Sequence, residues 1–256
     1  MKRVLAAAAL PLILLSSCSL KDYKYTTKSD SVDIEVDTEK VTAVKLSNDV
    51  GDIDISYGEG NTAKIHVDYK FRGIKEDAVS TAYDHISCKS ELKDDVLEIS
   101  FVDPETGKSF SEWKKDEPDL LEATSNIELV LPEKFESFDI DTDVGSVKAD
   151  GLKGNFSLSC DVGNVDLTEL ELLGDSDFST DVGNIKLDIK SVEKCEVKAV
   201  TDVGDIKIKT SGLSVESEEE EKTTGGKSEV TVDGKCKMKL ECNVGKIKLS
   251  EEDKDV

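Results

Sequence analysis

The chain has 256 residues, and its 33 Lys and Arg against 56 Asp and Glu give a formal net charge of −23 at pH 7. A surface this acidic repels phosphate backbones and anionic headgroups, which excludes nucleic acid and an anionic lipid surface as direct partners. It favours cations and basic partners instead.

The N-terminus has the pattern of a lipoprotein signal peptide. Lys2 and Arg3 precede an apolar stretch at residues 4–15 that is too short to span a bilayer, and Cys18 follows it directly after Leu-Ser-Ser. This sequence resembles the bacterial lipobox, in which the cysteine is lipidated after cleavage. We predict a signal peptide at 1–17, lipidation at Cys18, and an exported protein anchored to the bacterial membrane or cell surface by its N-terminal lipid. An ordinary signal peptide with an incidental cysteine is the alternative.

The segment after the lipidation site predicts a tether. Residues 18–37 carry several Lys, Ser and Thr and connect the lipid to the fold. From residue 41 to 71 apolar and polar residues alternate, which predicts strands with one buried face. A single domain is therefore predicted at 38–250, followed by an acidic tail at 251–256.

The alternation stops between residues 73 and 92. Apolar residues there recur at helical spacing, and Glu76 and Asp77 would lie in a first turn. This predicts one short helix. Strands are predicted at Val96–Val102 and Ile127–Leu131.

Between those two strands the polar segment from 104 to 119 begins near one proline, ends near another, and predicts a loop. It contains the single tryptophan, Trp113. We expect Trp113 to pack the loop onto the body of the domain; an anchor for a partner is the alternative.

One phrase occurs six times: Asp or Asn, Val, Gly, any residue, Ile or Val, any residue, and an aliphatic. The alternation is present on both sides of the glycine and shifts phase there, so the glycine marks a corner between two short strands. About 20 residues per turn predicts an all-β parallel β-solenoid with one short helix-bearing insertion, in which rungs fold only by stacking. The copies begin at Asp49, Asp143, Asp161, Asp181, Asp202 and Asn243.

The spacing of the copies predicts six consecutive rungs between about residues 138 and 249. The interval before the last copy is twice as long as the others, and a degraded copy at 226–232 is expected to fill it. The acidic run Glu216–Lys222 falls between two rungs and predicts a solvated loop.

Each position of the phrase has an expected role. The valine and the aliphatic residues face inward, the glycine turns the corner, and the Asp faces outward and caps the turn with its own side chain. A column of carboxylates at rung spacing is also an alternative site for calcium.

Five cysteines follow Cys18, at positions 88, 160, 195, 236 and 242. Cys160 and Cys242 each precede a repeat glycine by three residues, and Cys195 and Cys236 each precede one by nine. The predicted register separates the members of each pair by several rungs, which is too far for a disulfide. We expect buried, small hydrophobic residues.

The strand Ile127–Pro132, the following Phe138-Asp139-Ile140 and the Asp-Val-Gly phrases together resemble the putative adhesin family of bacterial β-solenoid domains of unknown function. The resemblance extends over about residues 40–250. It implies a domain of a kind often found in lipoproteins and membrane-anchored exported proteins. The repeats, the lipobox and the missing catalytic motifs predict a non-enzymatic β-solenoid scaffold or binding module. The family has no agreed catalytic residues, so it implies no site.

The sequence contains no recognisable catalytic motif. Its two histidines, His66 and His85, accompany no nucleophile or metal-ligand pattern and are expected at the surface. We predict no cofactor, no metal, no catalytic residue, a membrane contact through Cys18, and an envelope protein or glycan as partner. Alternatives are an enzyme acting on acidic polysaccharide, in which Lys148, Lys186 and Lys207 lie near acids, and an accessory subunit of an envelope-stress sensor.

Overall fold

The computed structural model describes residues 24–190, 195–210, 213–217, 228–232 and 236–251. The predicted signal peptide, Cys18, most of the acidic run (218–222) and all but the first residue of the predicted tail lie outside these residues. Among the residues described, no helix is long and apolar enough to cross a membrane.

Strands make up most of the described chain. The first half contains β1 (Thr26–Asp37), β2 (Ala43–Val50), β3 (Ile53–Gly58), β4 (Thr62–Gly73), α1 (Glu76–His85), β5 (Ser87–Lys93), β6 (Val96–Val102), α2 (Phe110–Asp116) and β7 (Leu120–Pro132). The second half contains β8 (Ser137–Val144), β9 (Val147–Asp150), β10 (Lys153–Val162), β11 (Val165–Leu172), β12 (Ser176–Val182), β13 (Ile185–Ile189), β14 (Cys195–Val203), β15 (Ile206–Thr210), β16 (Leu213–Ser217), β17 (Ser228–Val232), β18 (Cys236–Val244) and β19 (Ile247–Glu251).

These strands stack into two long sheets. In order of neighbours, sheet A is β1-β4-β7-β3-β9-β11-β13-β19-β15-β16. Sheet B is β5-β6-β2-β8-β10-β12-β18-β14-β17. The inner strands are parallel and the strands at both ends are antiparallel. The predicted all-β, solenoid-like stack of parallel strands is confirmed.

The copies of the phrase do not stack in chain order. β18 lies between β12 and β14, and β19 lies between β13 and β15. The last copy therefore sits between the copies that begin at Asp181 and Asp202. The degraded copy was expected to form the missing rung, but its strand β17 pairs antiparallel with β14. Because all copies share one pattern of apolar positions, local sequence does not determine their order.

The core lies between the two sheets, where equivalent side chains of successive copies contact each other. Phe138 and Phe156 stack with ring centroids 4.9 Å apart, and Phe156 and Phe178 with centroids 5.9 Å apart. On the side of sheet A, Val147, Val165 and other aliphatics are fully buried. Each copy thus supplies the neighbour that the previous one needs to bury its inner face.

The helix-bearing insertion contains two helices, where one was predicted. The prediction of α1 is confirmed, and its Ala78, Val79 and Ala82 are buried. The predicted loop at 104–119 is wrong in part because α2 forms inside it. Ser109 caps α2 by accepting a hydrogen bond from the Glu112 N–H, and the Glu112 side chain accepts one from the Ser109 N–H.

Trp113 lies in α2 and packs against the core, as expected, with its ring centroid 5.5 Å from that of His85.

The predicted tether is wrong from residue 26 onward, because Thr26–Asp37 forms β1. This strand pairs antiparallel with β4 along its whole length. Its Val32, Ile34 and Val36 pack against the core. The alternation of these three residues with polar ones is the sequence pattern of a strand. The many polar residues around them favoured a tether instead.

Candidate binding surface

Each copy turns from sheet B to sheet A at its glycine, and the glycines of neighbouring copies lie directly on one another. Gly163 has φ +156°, and a β-carbon there would lie 1.7 Å from the carbonyl oxygen of Gly145. At Gly183 the corresponding distance, to the carbonyl oxygen of Gly163, is 1.6 Å. The repeat therefore requires glycine at this corner for space as well as for backbone conformation.

A row of buried side chains hydrogen-bonds these glycine carbonyls from the inside. Cys160 Sγ donates to the Gly145 carbonyl at 3.1 Å, and Thr180 Oγ1 donates to the Gly163 carbonyl at 3.2 Å. Cys242 makes the same bond as Thr180 one copy further on. Cysteine and threonine thus serve one function in this row. The row comprises Asn48, Thr142, Cys160, Thr180, Cys242 and Thr201. All of them donate to a glycine carbonyl except Thr142, whose buried hydroxyl has no hydrogen-bond partner among the described residues.

The two cysteines of the row are buried, as predicted. Burial raises the pKa of the Cys160 and Cys242 thiols above the ordinary value. Burial also raises the pKa of Cys88, to about 11. These three thiols stay protonated near neutral pH and are poor nucleophiles.

The expected separation of the remaining cysteine pair is wrong. Cys195 and Cys236 are direct register partners on the neighbouring strands β14 and β18, because the last copy inserts beside β14. Cys160 and Cys242 have β12 between them, so two strand spacings separate them, about 9.6 Å. That distance is outside the range of a disulfide.

The corner is capped by the residue after the glycine, and the predicted cap by the Asp before it is wrong. Asn164 Oδ1 accepts hydrogen bonds from the Asn184 backbone N–H at 3.0 Å and from Asn184 Nδ2 at 2.9 Å. Asn184 Oδ1 in turn accepts one from the Lys246 backbone N–H at 3.0 Å. Each cap therefore bridges to the next copy, which links neighbouring turns.

The valine of the phrase faces solvent, and the prediction that it faces inward is wrong. Regular inward alternation ends at Cys160; the pairing of β10 with β8 skips Asp161 and resumes at Val162, which begins the corner. Equivalent valines are register partners from copy to copy. They form a continuous exposed row, with the exposed fractions Val144 44%, Val162 47%, Val182 49%, Val244 47% and Val203 44%.

A row of acidic residues runs beside the valines. Burial, followed by the neighbouring carboxylates of Asp49, Asp161 and Asp141, raises the pKa of Asp143 above its ordinary value. We call the two rows together the corner ridge. It comprises Val50, Val144, Val162, Val182, Val244 and Val203 with Asp49, Asp143, Asp161, Asp181, Asn243 and Asp202.

The first member of the corner ridge is covered by the chain itself. The backbone N–H of Ser111, in the first turn of α2, donates to Asp49 Oδ2 at 2.9 Å. Asp49 and Val50 are half-buried, whereas their counterparts in the other five copies are exposed. The structure therefore contains one occupied position of a surface that is otherwise open.

The residues named for the polysaccharide-enzyme alternative do not form a cleft. Lys148, Lys186 and Lys207 lie in one row across sheet A, and Lys186 Nζ is 2.8 Å from Asp166 Oδ1. An open cavity of about 510 Å³ lies elsewhere, over β1, β4 and β7.

The two histidines are not brought together either. Both lie at the surface, as predicted: His66 is partly exposed with Nδ1 2.7 Å from Asp33 Oδ1, and His85 is exposed beside Trp113. Asp33 raises the pKa of His66 above its ordinary value. Within the described ranges, no group of three or more His, Cys, Asp or Glu side chains is arranged to hold a metal ion.

This chain is similar to a known protein family and to solved structures. The family model described as Toastrack DUF4097 matches residues 122–250. A crystal structure of a "putative cell adhesion protein" from Clostridium sporogenes is 19% identical, with a TM-score of 0.56 over 88% of this chain and 100% of that chain. A "putative adhesin" from Bacteroides fragilis is 14% identical over 86% and 97% of the two chains, with a TM-score of 0.39. No curated protein sequence matches the chain.

Proposed function

The chain belongs to the Toastrack DUF4097 family, and on that premise we propose that it is a lipid-anchored envelope protein that binds a partner without catalysis. Its β-solenoid, with rungs of about 20 residues, is the scaffold. The corner ridge is the binding surface. Lipid at Cys18 holds the scaffold at the membrane, and the residues before β1 set its reach.

The observation that carries this proposal is the repetition of one exposed arrangement along the stack. Soluble domains bury most branched aliphatic side chains, yet the five valines of the corner ridge remain 44–49% exposed in a continuous row. Nothing in the packing of the rungs requires valine there, because the neighbouring turns are already linked by their glycines and asparagines. Equivalent contacts at successive rungs would add to one another.

The remaining chemistry supports a binding role over a catalytic one. The described thiols have raised pKa values, so they are weak nucleophiles. Lys148, Lys186 and Lys207 lie on β9, β13 and β15 of sheet A, whereas the open cavity lies over β1, β4 and β7 of the same sheet. The Clostridium structure described as a "putative cell adhesion protein" has the same fold, which agrees with a binding module.

Site-specific photo-crosslinking tests the proposal. A photoreactive amino acid replaces Val162 in the full-length protein in the cells that produce it, and in a matched protein it replaces Leu173, which is 46% exposed and lies outside the corner ridge. We expect a discrete covalent adduct from position 162 and none from position 173. Equal labelling from both positions, or release of products from envelope glycan by the purified protein, would refute the proposal.

Lipid anchoring has its own test. Cys18→Ala removes the thiol to which the lipid would be attached, and we expect the protein to lose the diacylglycerol mass on its N-terminal peptide and to accumulate with an uncleaved leader. Mass spectrometry of that peptide and fractionation of the cells measure both effects. Cys88→Ala is the control and leaves anchoring unchanged. An unmodified Cys18 in the wild-type protein would contradict the anchor while leaving the binding role intact.

A further inference from the structure

The corner ridge has a definite length and period. Its five open valines lie on neighbouring strands, so they recur at about 4.8 Å and extend over about 19 Å. An α-helix laid along this row presents one side chain per turn at about 5.4 Å, and about 13 residues cover the same length. The two repeats differ by only about 0.6 Å per step, which side-chain flexibility absorbs over four or five rungs. An extended strand repeats at about 6.8 Å on one face and does not match.

At the occupied first position a helix of this chain contacts a corner with its N-terminal end. There the first turn of α2 contacts the corner, and the Ser111 N–H binds the Asp49 carboxylate. The corner that receives this helix has the same Asp-Val-Gly phrase as four of the five open corners, and the fifth has Asn243 in place of the Asp. A helix is therefore a form of polypeptide that this corner already accommodates.

The acidic row specifies the charge of the occupant. Asp143, Asp161 and Asp181 are exposed beside the valines, and Asp141 adds a further carboxylate next to Asp161. Cationic side chains next to an apolar stripe would complement both rows at once. Anionic lipid headgroups would be repelled by the same carboxylates.

We propose that the open part of the corner ridge docks a basic amphipathic helix of an envelope protein, with its aliphatic face on the valines and its Lys or Arg side chains against the Asp row. This names the partner class of the surface in the proposed function and rests on that function. In this mode of binding an amphipathic helix lies along an apolar stripe, and the valines of the corner ridge form the stripe.

The test uses a probe peptide of about 18 residues made of Leu and Lys, with the leucines at helical spacing on one face. Full-length protein is held in phosphatidylcholine nanodiscs, with empty nanodiscs as the blank, and binding is measured by fluorescence anisotropy. We expect saturable binding that weakens as salt is added. A scrambled peptide of the same composition and a Leu-Glu peptide of the same pattern should each bind at least tenfold more weakly.

Surface variants separate the corner ridge from the rest of the molecule. Val162→Ser with Val182→Ser should weaken peptide binding at least tenfold, and Asp161→Asn with Asp181→Asn at least fivefold at low salt. The matched controls, Leu92→Ser with Leu173→Ser and Glu133→Gln with Glu136→Gln, replace exposed residues elsewhere and should change binding less than twofold. All four substituted positions of the two ridge variants are exposed, so neither protein should melt at a lower temperature than the wild type.

The outcomes are distinguishable. No saturable binding, equal binding of the scrambled peptide, or unchanged binding by the ridge variants would overturn the helix proposal. If the crosslink at position 162 persists in that case, the binding function stands and the partner class is wrong. A concentration-dependent dimer that Val162→Ser with Val182→Ser abolishes in sedimentation velocity would identify a second copy of this chain as the occupant and would also overturn the helix proposal.

Discussion

At the scale of single residues, the rungs can stack closely because the corner glycines have no β-carbon. A β-carbon at Gly163 would overlap the Gly145 carbonyl oxygen, and the neighbouring backbone has no direction in which to yield because every copy is held by the next. The glycine of the phrase is therefore needed for the close contact between rungs as well as for the turn.

The prediction is that Gly163→Ala lowers the free energy of unfolding by at least about 2 kcal/mol. Gly151→Ala is the control, since Gly151 also has a positive φ (+68°) but has no atom within 4 Å of an added β-carbon. We expect the control to cost about 1 kcal/mol, from backbone conformation alone. Urea denaturation measures both values. Similar losses in the two variants would show that steric overlap at the corner is unimportant.

A second prediction concerns Cys160, which occupies a position that is threonine in several other copies. Cys160→Thr should keep the hydrogen bond to the Gly145 carbonyl and at least the wild-type stability, because Thr180 and Thr201 occupy the same row. Cys160→Val has nearly the volume of threonine and no donor, so we expect a loss of about 1 kcal/mol relative to Cys160→Thr. Thermal unfolding of the two variants gives the difference. Equal stabilities would show that the row acts by packing only.

Residue roles were predictable from the sequence only in part. Glycine at the corner follows from the phrase itself, whereas the exposure of Val162 does not, because a strict period of two places it inside with Cys160. The capping role of Asn164 was missed because the Asp before the glycine has the same turn chemistry. Which of the two side chains reaches the next turn depends on how the rungs are stacked.

At the scale of elements, burial and then the carboxylates of neighbouring strands disfavour a charged Asp143 in the folded state. The folded-state pKa of Asp143 is raised, so folding favours its protonated form. The associated stability is fully present below the unfolded pKa, near 3.8, and is lost as the pH rises through the raised folded pKa. At pH 7 the Asp143 carboxylate is therefore a cost to the fold.

The third prediction follows from the unfavourable contribution of the charged Asp143 to stability at pH 7. Asp143→Asn should raise the melting temperature by about 1–3 °C at pH 7 and should have no effect at pH 3, where the wild-type carboxyl is protonated. Scanning calorimetry at the two pH values checks this. Glu133→Gln, outside the row, is the control at both. A stabilisation by Asp143→Asn that is the same at pH 3 and pH 7 would mean that charge is not its cause.

Elements with a strong local pattern were predicted well. β6 has the predicted bounds, and α1 lies within the segment of helical spacing. α2 was missed, although Ser109 and Glu112 carry the spacing of a capping box, because the surrounding prolines and charges dominate the segment. β1 was missed for a related reason: its pairing with β4 is decided by partners 25 to 47 residues away.

At the scale of the whole molecule, the decisive feature is the order of the rungs. The strands β18 and β19 separate β12 and β13 from β14 and β15, so the last copy in the chain is not the last in the stack. Phenylalanine columns, glycine corners and inner donors are compatible with either order, which explains why the sequence does not predict it. The pairing of Cys195 with Cys236 follows from the same insertion.

The fourth prediction uses this order. Deleting residues 195–235 lets β18 follow β13 through residues 190–194, and it then takes the place beside β12 that it already has. We expect this shortened protein to be soluble and to unfold in one cooperative transition. Deleting residues 236–256 instead removes the partners of β13 and β15 together, and we expect β14 and β15 to be cleaved rapidly by protease. Greater stability of the second deletion would contradict the inserted order.

The inserted rung also has a consequence for the time course of folding. Residues 195–210 leave the ribosome before residues 236–251, so the strands that finally separate β14 from β12 do not exist when β14 first seeks a neighbour. Until those strands arrive, the edges of β12 and β14 that pair with β18 in the folded protein lack that partner. Completion of the molecule therefore requires its last segment to enter between strands that were synthesised earlier, so the order of the rungs is settled only at the end of synthesis.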